Sequence, residues 1–212
     1  MIAEISDFFN APGAARIPSM KGKLVLLIGP SGVGKSVILK QLRQRHAEFH
    51  FPRSATTRER RKGESDDLYR FMTDAEFDRL LKDNKVLEWA TVHEGARYGT
   101  LSDEIIPYID QGKTVIREVD VQGFDSIRAH PLFAGQSPTY PLQSIFILPE
   151  NKDQLIKHIT LRAPIADDEL KRRIASMEKE LAYAKLCTAA VKNVEGKLEG
   201  TLEEVEGLIM PR

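Results

Sequence analysis

Lys23-Leu-Val-Leu-Leu-Ile28 runs directly into Gly29-Pro-Ser-Gly-Val-Gly-Lys35-Ser36, and the join between them decides the fold. Leu24 to Ile28 is a short, wholly apolar run, the pattern of a strand buried on both faces of a parallel sheet. The stretch after it fits G-x-x-x-x-G-K-[ST] between a buried strand and a helix. Glycines at 29, 32 and 34 let successive N–H groups face one anion. The helix beginning near Lys35 adds its positive end at the same point. Lys35 then neutralises charge on the β/γ-phosphates, and the Ser36 hydroxyl is set to ligate magnesium. Gly29, Pro30, Ser31, Gly32, Val33, Gly34, Lys35 and Ser36 are therefore expected to hold a nucleoside triphosphate. That alone leaves GTPase, ATPase and kinase open, although the Asn-Lys-x-Asp segment that reads guanine in GTPases is absent.

Outward from this loop, strands and helices alternate. Strands are predicted at Val86–Val92, Thr114–Val119, Ser144–Leu148 and, more weakly, Ala189–Val191. Helices are predicted after the loop, with Ile38, Leu39 and Leu42 inward, and at Asp74–Leu81, Ser102–Asp110, Asn151–Leu161, Asp167–Cys187 and Leu202–Leu208. In Asp167–Cys187, Leu170, Ile174, Met177, Leu181 and Ala184 alternate steps of four and three, a single apolar face. Pro107 should kink or shorten the helix around it. Strands separated by such helices imply an α/β fold with a central parallel sheet and right-handed crossovers. Phe133 to Pro141 reads as a surface insertion.

The chain of 212 residues allows one domain. Its 31 Lys+Arg balance 31 Asp+Glu, so bulk electrostatics do not bind it to nucleic acid or membrane. At 42% hydrophobic residues it can build a core, and disorder is excluded. The single cysteine, Cys187, forms no internal disulfide and suits a reducing compartment. Of the five histidines, His46 and His50 stand at His-x-x-x-His spacing, but no third histidine or cysteine lies near them in the sequence, so a zinc or haem protein is not expected. No apolar run spans a bilayer, and Met1 to Phe9 lacks the basic start of a secretory signal, so a cytoplasmic protein is expected. Residues 1–20 read as an N-terminal extension, with Ile2, Ile5, Phe8 and Phe9 at roughly helical spacing.

A second constellation follows at Ser54-Ala-Thr-Thr-Arg58-Glu-Arg-Arg61-Lys-Gly-Glu64, then Tyr69-Arg-Phe71. By itself this could be a solvated basic run or a nucleic-acid patch. Leu87-Glu-Trp-Ala90, Tyr98-Gly-Thr100, Val119-Asp-Val-Gln-Gly123 and Glu180-Leu-Ala-Tyr-Ala184 follow in order. Together with Gly29–Ser36, these pieces strongly resemble guanylate kinase, from about Lys21 to about Ile209. The resemblance implies a P-loop three-layer α/β/α fold with a small GMP-binding subdomain and a helical lid. Its parts are a core of about 21–53, 101–150 and 187–212, a GMP-binding region of about 54–100, and a lid of about 151–171. The implied reaction moves the γ-phosphoryl group of ATP to GMP.

Chemistry supports the implied roles. Arg58 and Arg61 can grip a phosphate through forked, charge-assisted bonds. The resemblance adds Glu64 and the Tyr69 and Tyr98 hydroxyls. Guanine presents N1–H and a 2-amino group side by side, and one carboxylate accepts both. Glu88 matches that position, with Ser54 and Thr100 matching the partners of O6 and N7. Adenine has no such donor pair and would leave the carboxylate unmatched. Glu118 stands where the family carries an aspartate near the base. Asp120, at a sheet edge, reads as a magnesium-holding acid, or simply as a helix cap.

Phosphoryl transfer is mostly positioning and charge stabilisation, so cations must close over the phosphates. Arg162 and Arg173 are expected to reach the phosphates when the lid closes, with Lys35 and Arg58 completing the catalytic set, and Asn193 matches the family's adenine contact. His158 replaces a lid arginine, Ala163 a glycine, and Val37 a common threonine. The segment from Glu64 to Tyr69 is one residue short, and Val194 follows Asn193 where the family carries an acid. Magnesium with ATP is the expected cofactor, the partners are ATP and GMP, and the chain is a monomer or homodimer. Two alternatives stay open: a non-catalytic binding module, and a kinase for another small phosphate acceptor. The intact loop and clamp argue against the first, and Glu88 with Ser54 and Thr100 against the second.

Overall fold

The computed structural model describes residues 22–91, 95–151, 153–156, 160 and 167–210. The N-terminal extension 1–20, Val92, Arg162, His158 and Ala163 lie outside them. Strand β1 (Lys23–Ile28) pairs in parallel with β6 (Thr114–Glu118) on one side and β7 (Leu142–Pro149) on the other. β8 (Ala189–Asn193) adds to β7, giving the parallel order β6-β1-β7-β8. This is the central parallel sheet that the alternating pattern requires.

The two-residue period of β1 divides the core into two layers. Val25 and Leu27 pack with Ile38 and Leu42 of α1 (Lys35–Arg45) and with Leu202, Val205 and Ile209 of the C-terminal helix (Leu198–Ile209). Leu24, Leu26 and Ile28 pack instead with Ile109 of α3 (Ile106–Asp110) and with Phe124 and Ile127 of α4 (Val121–Ala129). All five of these β1 side chains are fully buried, each worth about 1.5–3 kcal/mol.

A second sheet has the order β3-β2-β5-β4. It joins β2 (Ser54–Thr56), β3 (Tyr69–Phe71), β4 (Val86–Thr91) and β5 (Arg97–Leu101). α2 (Asp74–Lys82) leads into β4 and starts at a capping box, in which Glu76 N–H donates to Thr73 Oγ1 and Thr73 N–H to Glu76 Oε2. Phe77 from α2 fills the small core with Ala55 and Leu101.

Several boundaries differ from the sequence reading. Ser102–Asp110 is two pieces, a 3-10 turn at Ser102–Glu104 and then α3 with Pro107 in its first turn, where a missing N–H costs nothing. The long amphipathic helix, α5 (Asp167–Leu181), ends early and tightens into a 3-10 turn at Ala182–Leu186. Met177 is the buried residue of its predicted stripe, while Ile174 and Leu181 are half-buried. Phe133 is buried among the residues around Phe124, so the predicted insertion is anchored at its start. The C-terminal helix, α6, completes the layer over α1. Among the described residues, no helix is long and apolar enough to cross a membrane.

Candidate active site

The C-terminal end of β1 delivers the chain into the glycine loop, which opens α1. Gly34 is the N-cap of α1 at φ 98°, a left-handed conformation that favours glycine. A Cβ there would lie 2.5 Å from Asn193 Nδ2. That amide donates to Val33 O at 2.8 Å, and Thr201 Oγ1 donates to Asn193 Oδ1 at 3.2 Å. Asn193 thus ties the end of β8 to the loop. Lys35 is buried, and its Nζ donates to Gly29 O at 2.6 Å and Pro30 O at 3.1 Å. An ammonium held by its own loop stands where loop amides and the α1 N-terminus converge.

Between this loop and the second sheet lies a cavity of about 690 Å³. Lys35 and Ser36 line it from α1, Glu118 and Asp120 from the end of β6, and Ser54, Tyr69, Glu88 and Tyr98 from the second sheet. The register explains the last group. Ser54 pairs with Tyr69 on one side and Thr100 on the other, and Thr100 pairs with Glu88. Paired residues share a face, so Tyr69, Ser54, Thr100 and Glu88 form one row across four strands. The next row carries Tyr98 opposite Thr56. The register shifts between Val86 and Glu88, an irregularity of the kind that re-aims side chains beside functional sites.

Within that row, Thr100 Oγ1 donates to Glu88 Oε1. Thr100 is fully buried and its proton is committed to the carboxylate. Burial pushes the Glu88 carboxyl above the usual glutamate range; the Thr100 bond and Arg117 oppose that rise, and Asp120 adds to it.

Arg58 forms the centre of a second group. Its Nε donates to Tyr98 Oη at 3.0 Å, and its two terminal nitrogens fork onto Glu64 at 2.8 and 3.1 Å. The guanidinium lies over the rings of Tyr69 and Phe71. The Glu64 bond raises the Arg58 pKa, and Arg58 in turn lowers that of Glu64. Arg61 joins through its backbone, whose N–H donates to Glu64 Oε2 at 3.1 Å. A carboxylate thus occupies the fork that would suit a phosphate.

The remaining expected residues fall differently. Glu118 faces the glycine loop, where its Oε1 accepts from Ser36 Oγ at 3.1 Å. Asp120 Oδ1 accepts from Gly123 N–H at 2.7 Å and caps α4, so the cap reading and the cavity position hold together. Arg173 is exposed on α5 and does not line the cavity. Arg162 lies outside the described residues.

The sequence reading missed Arg117. Its Nη1 donates to Ser54 Oγ at 2.9 Å and its Nη2 stands 3.9 Å from Glu88 Oε1. The two charged side chains are 15% and 13% exposed, so the pair is largely dry. Burial lowers the Arg117 pKa, with Glu88 and Glu118 opposing. Its Nε is the one buried side-chain polar atom without a hydrogen-bond partner among the described residues, a defect costing about 1–3 kcal/mol. An arginine inside the predicted strand Thr114–Val119, directly after Val115-Ile116, was the available signal.

Comparison with known proteins points to one family. The family model described as guanylate kinase matches residues 21–211. The guanylate kinase of Synechococcus sp. (strain JA-3-3Ab) is 35% identical over 199 residues, 93% of this chain and 87% of that protein. That of Nocardia farcinica (strain IFM 10152) is 39% identical over 164 residues, 76% of this chain and 81% of the relative. The crystal structure of guanylate kinase from Anaplasma phagocytophilum aligns with TM-score 0.58 at 23% identity, covering 90% of this chain and 85% of that one. This last likeness concerns the fold alone.

Proposed function

Because the chain belongs to the guanylate kinase family, we propose that its cavity is the place where ATP and GMP meet. The enzyme is an ATP:GMP phosphotransferase, which moves the γ-phosphoryl group of ATP to GMP and yields ADP and GDP. In our reading the glycine loop, Lys35 and the α1 N-terminus seat the donor phosphates, and Asn193 holds the loop from behind. The row Ser54–Thr100–Glu88 reads guanine, and Arg58, Arg61, Tyr69 and Tyr98 take the acceptor phosphate. One observation carries this assignment: Ser54, Thr100 and Glu88 are register partners on one sheet face, and Ser54 and Glu88 line the cavity opposite the loop.

The transfer step asks for alignment of two phosphates and cations around developing charge. Lys35 supplies one fixed charge. Arg58 supplies another once GMP displaces Glu64 from its fork, and Glu64 can then hold Arg61 through the N–H bond it already accepts. Thr100 acts on Glu88, keeping one carboxylate oxygen oriented. Arg162, in the proposed lid of about 151–171, and Arg173, just beyond it on α5, close over the phosphates when both substrates are bound. The region of about 54–100 moves with GMP as the acceptor arm.

Magnesium fits the donor set. Such an ion takes one or two carboxylates and draws its other oxygens from phosphates and water. Ser36 gives its proton to Glu118 and so keeps lone pairs for a metal, and Asp120 lines the same cavity. Ser36 and Asp120 would hold the ion, which when bound neutralises charge on the donor phosphates.

A coupled assay with GMP, AMP, UMP and no acceptor tests the reading. ADP release should require GMP. Equal use of AMP would overturn guanine recognition, and no release with any acceptor would overturn catalysis.

A further inference from the structure

We propose that Arg117 is a positioning residue that fixes the donor–acceptor polarity of the purine-reading row, so that a 6-oxo purine is accepted and a 6-amino purine refused. The inference rests on the assignment of the Ser54–Glu88 row to the acceptor base.

A guanidinium has only donors. Arg117 Nη1 donates to Ser54 Oγ, so a lone pair of that hydroxyl is occupied and its proton is turned away from Arg117. Nothing on the guanidinium can reverse this direction. Ser54 lines the cavity, and it therefore offers a donor there. On the other side of Arg117, Nη2 approaches Glu88 Oε1, the oxygen that also accepts from Thr100. Both neighbours favour the ionised acceptor. Asp120 opposes them from the start of α4, and Glu118 and Tyr69 act on the guanidinium itself.

The row thus presents one donor and one anionic acceptor in a fixed sense. A 6-oxo-2-amino purine offers an acceptor at C6 and donors at N1 and the 2-amino group, matching both. A 6-amino purine offers a donor at C6 and an acceptor at N1, so both contacts are reversed. Reversed polarity in a dry site discriminates strongly. The unpartnered Nε fits a side chain retained for what it does to Ser54 and Glu88 rather than for its own satisfaction.

Steady-state kinetics of wild type, Arg117→Leu, Arg117→Lys and Glu88→Gln with GMP and AMP decide it. For Arg117→Leu the GMP KM should rise about tenfold and the preference for GMP over AMP fall by about as much. The ATP KM and kcat should change less than about threefold, a split that general loosening of the fold does not produce. Arg117→Lys keeps the charge and loses the fork, so it should fall between the two, and it carries the test if Arg117→Leu fails to fold. GMP preference unchanged in the folded Arg117 variants, with GMP KM raised in Glu88→Gln, overturns the role of Arg117 alone. GMP KM unchanged in Glu88→Gln overturns the base site itself, and this inference with it.

Discussion

Arg117 and Glu118 are chain neighbours that serve opposite arms of one cavity: Arg117 reaches Ser54 at 2.9 Å, and Glu118 accepts from Ser36 at 3.1 Å. The strand period of two forces the split. Ile116 and Glu118 turn to the α1 layer, while Val115 and Arg117 turn to the layer shared with α4. A single edge strand, β6, thus couples the donor loop to the acceptor row. Displacing either residue should be felt on its own side first.

Lys35→Ala should slow phosphoryl transfer by about 10²–10³ and leave the fold in place. Its Nζ donates to the loop carbonyls of Gly29 and Pro30, so its loss removes a polar anchor and opens no apolar cavity of the kind that unfolds domains. One preorganised charge at a reacting phosphate is worth about 10²–10³ in rate. Single-turnover transfer beside a circular-dichroism melt separates the effects, and wild-type turnover would place the donor site elsewhere.

Arg58→Ala should raise the GMP KM by about 10²-fold, the loss of a bidentate charged contact with its Tyr98 brace. The ATP KM should stay near its wild-type value, because Arg58 touches β3, β5 and the Glu64 segment and not the glycine loop. An unchanged GMP KM would remove Arg58 from the clamp.

The pH dependence follows from Glu88. Its folded pKa lies above the ordinary 4.5 because it is buried, and guanine recognition needs the ionised form. As pH falls through that raised value, the GMP KM should climb while the ATP KM holds, starting above the ordinary glutamate range. The stability sign is opposite to that of a paired surface acid. The native state binds this proton more tightly than the unfolded chain, so the Glu88 contribution to stability falls as pH rises through its folded pKa. Glu88→Gln should show a high GMP KM without the acid limb, and a wild-type GMP KM flat to about pH 4.5 would discount Glu88 as the base reader.

Legibility in the sequence tracked burial on two faces. β1, β6 and β7 were readable because Leu24–Ile28, Val115–Ile116 and Ile145–Leu148 are apolar runs, and their ends moved by only one or two positions. β2, β3 and β5 were not, since Ser54–Thr56 and Tyr69–Phe71 are too short for a period and Arg97–Leu101 alternates around Gly99. α4 hid behind Gly123 and a short apolar face of Val121, Phe124 and Ile127. The glycine loop was legible from local chemistry alone. Ser54, Thr100 and Glu88 were named by resemblance, but their common row depends on strand pairings between residues 12 to 46 positions apart, which no local pattern encodes. The partners of Arg117 were hidden for the same reason.

Gly34→Ala tests the donor loop from its backbone. At φ 98° a side chain costs about 1–2 kcal/mol, and the new Cβ would fall 2.5 Å from Asn193 Nδ2. Moving that amide breaks its bond to Val33 O and disturbs the Thr201 contact, loosening the tie between the loop and α6. The variant should melt at lower temperature and show a raised ATP KM with little change in the GMP KM. Asn193→Ala, which keeps the glycine and loses only the tie, should raise the ATP KM less. Combining the two removes the collision and leaves the strained φ, so the double variant should recover part of the lost stability of Gly34→Ala and not all of it. Full recovery would assign the whole defect to the collision, and an unaltered ATP KM in Gly34→Ala would mean that the loop amides are not what seats the donor.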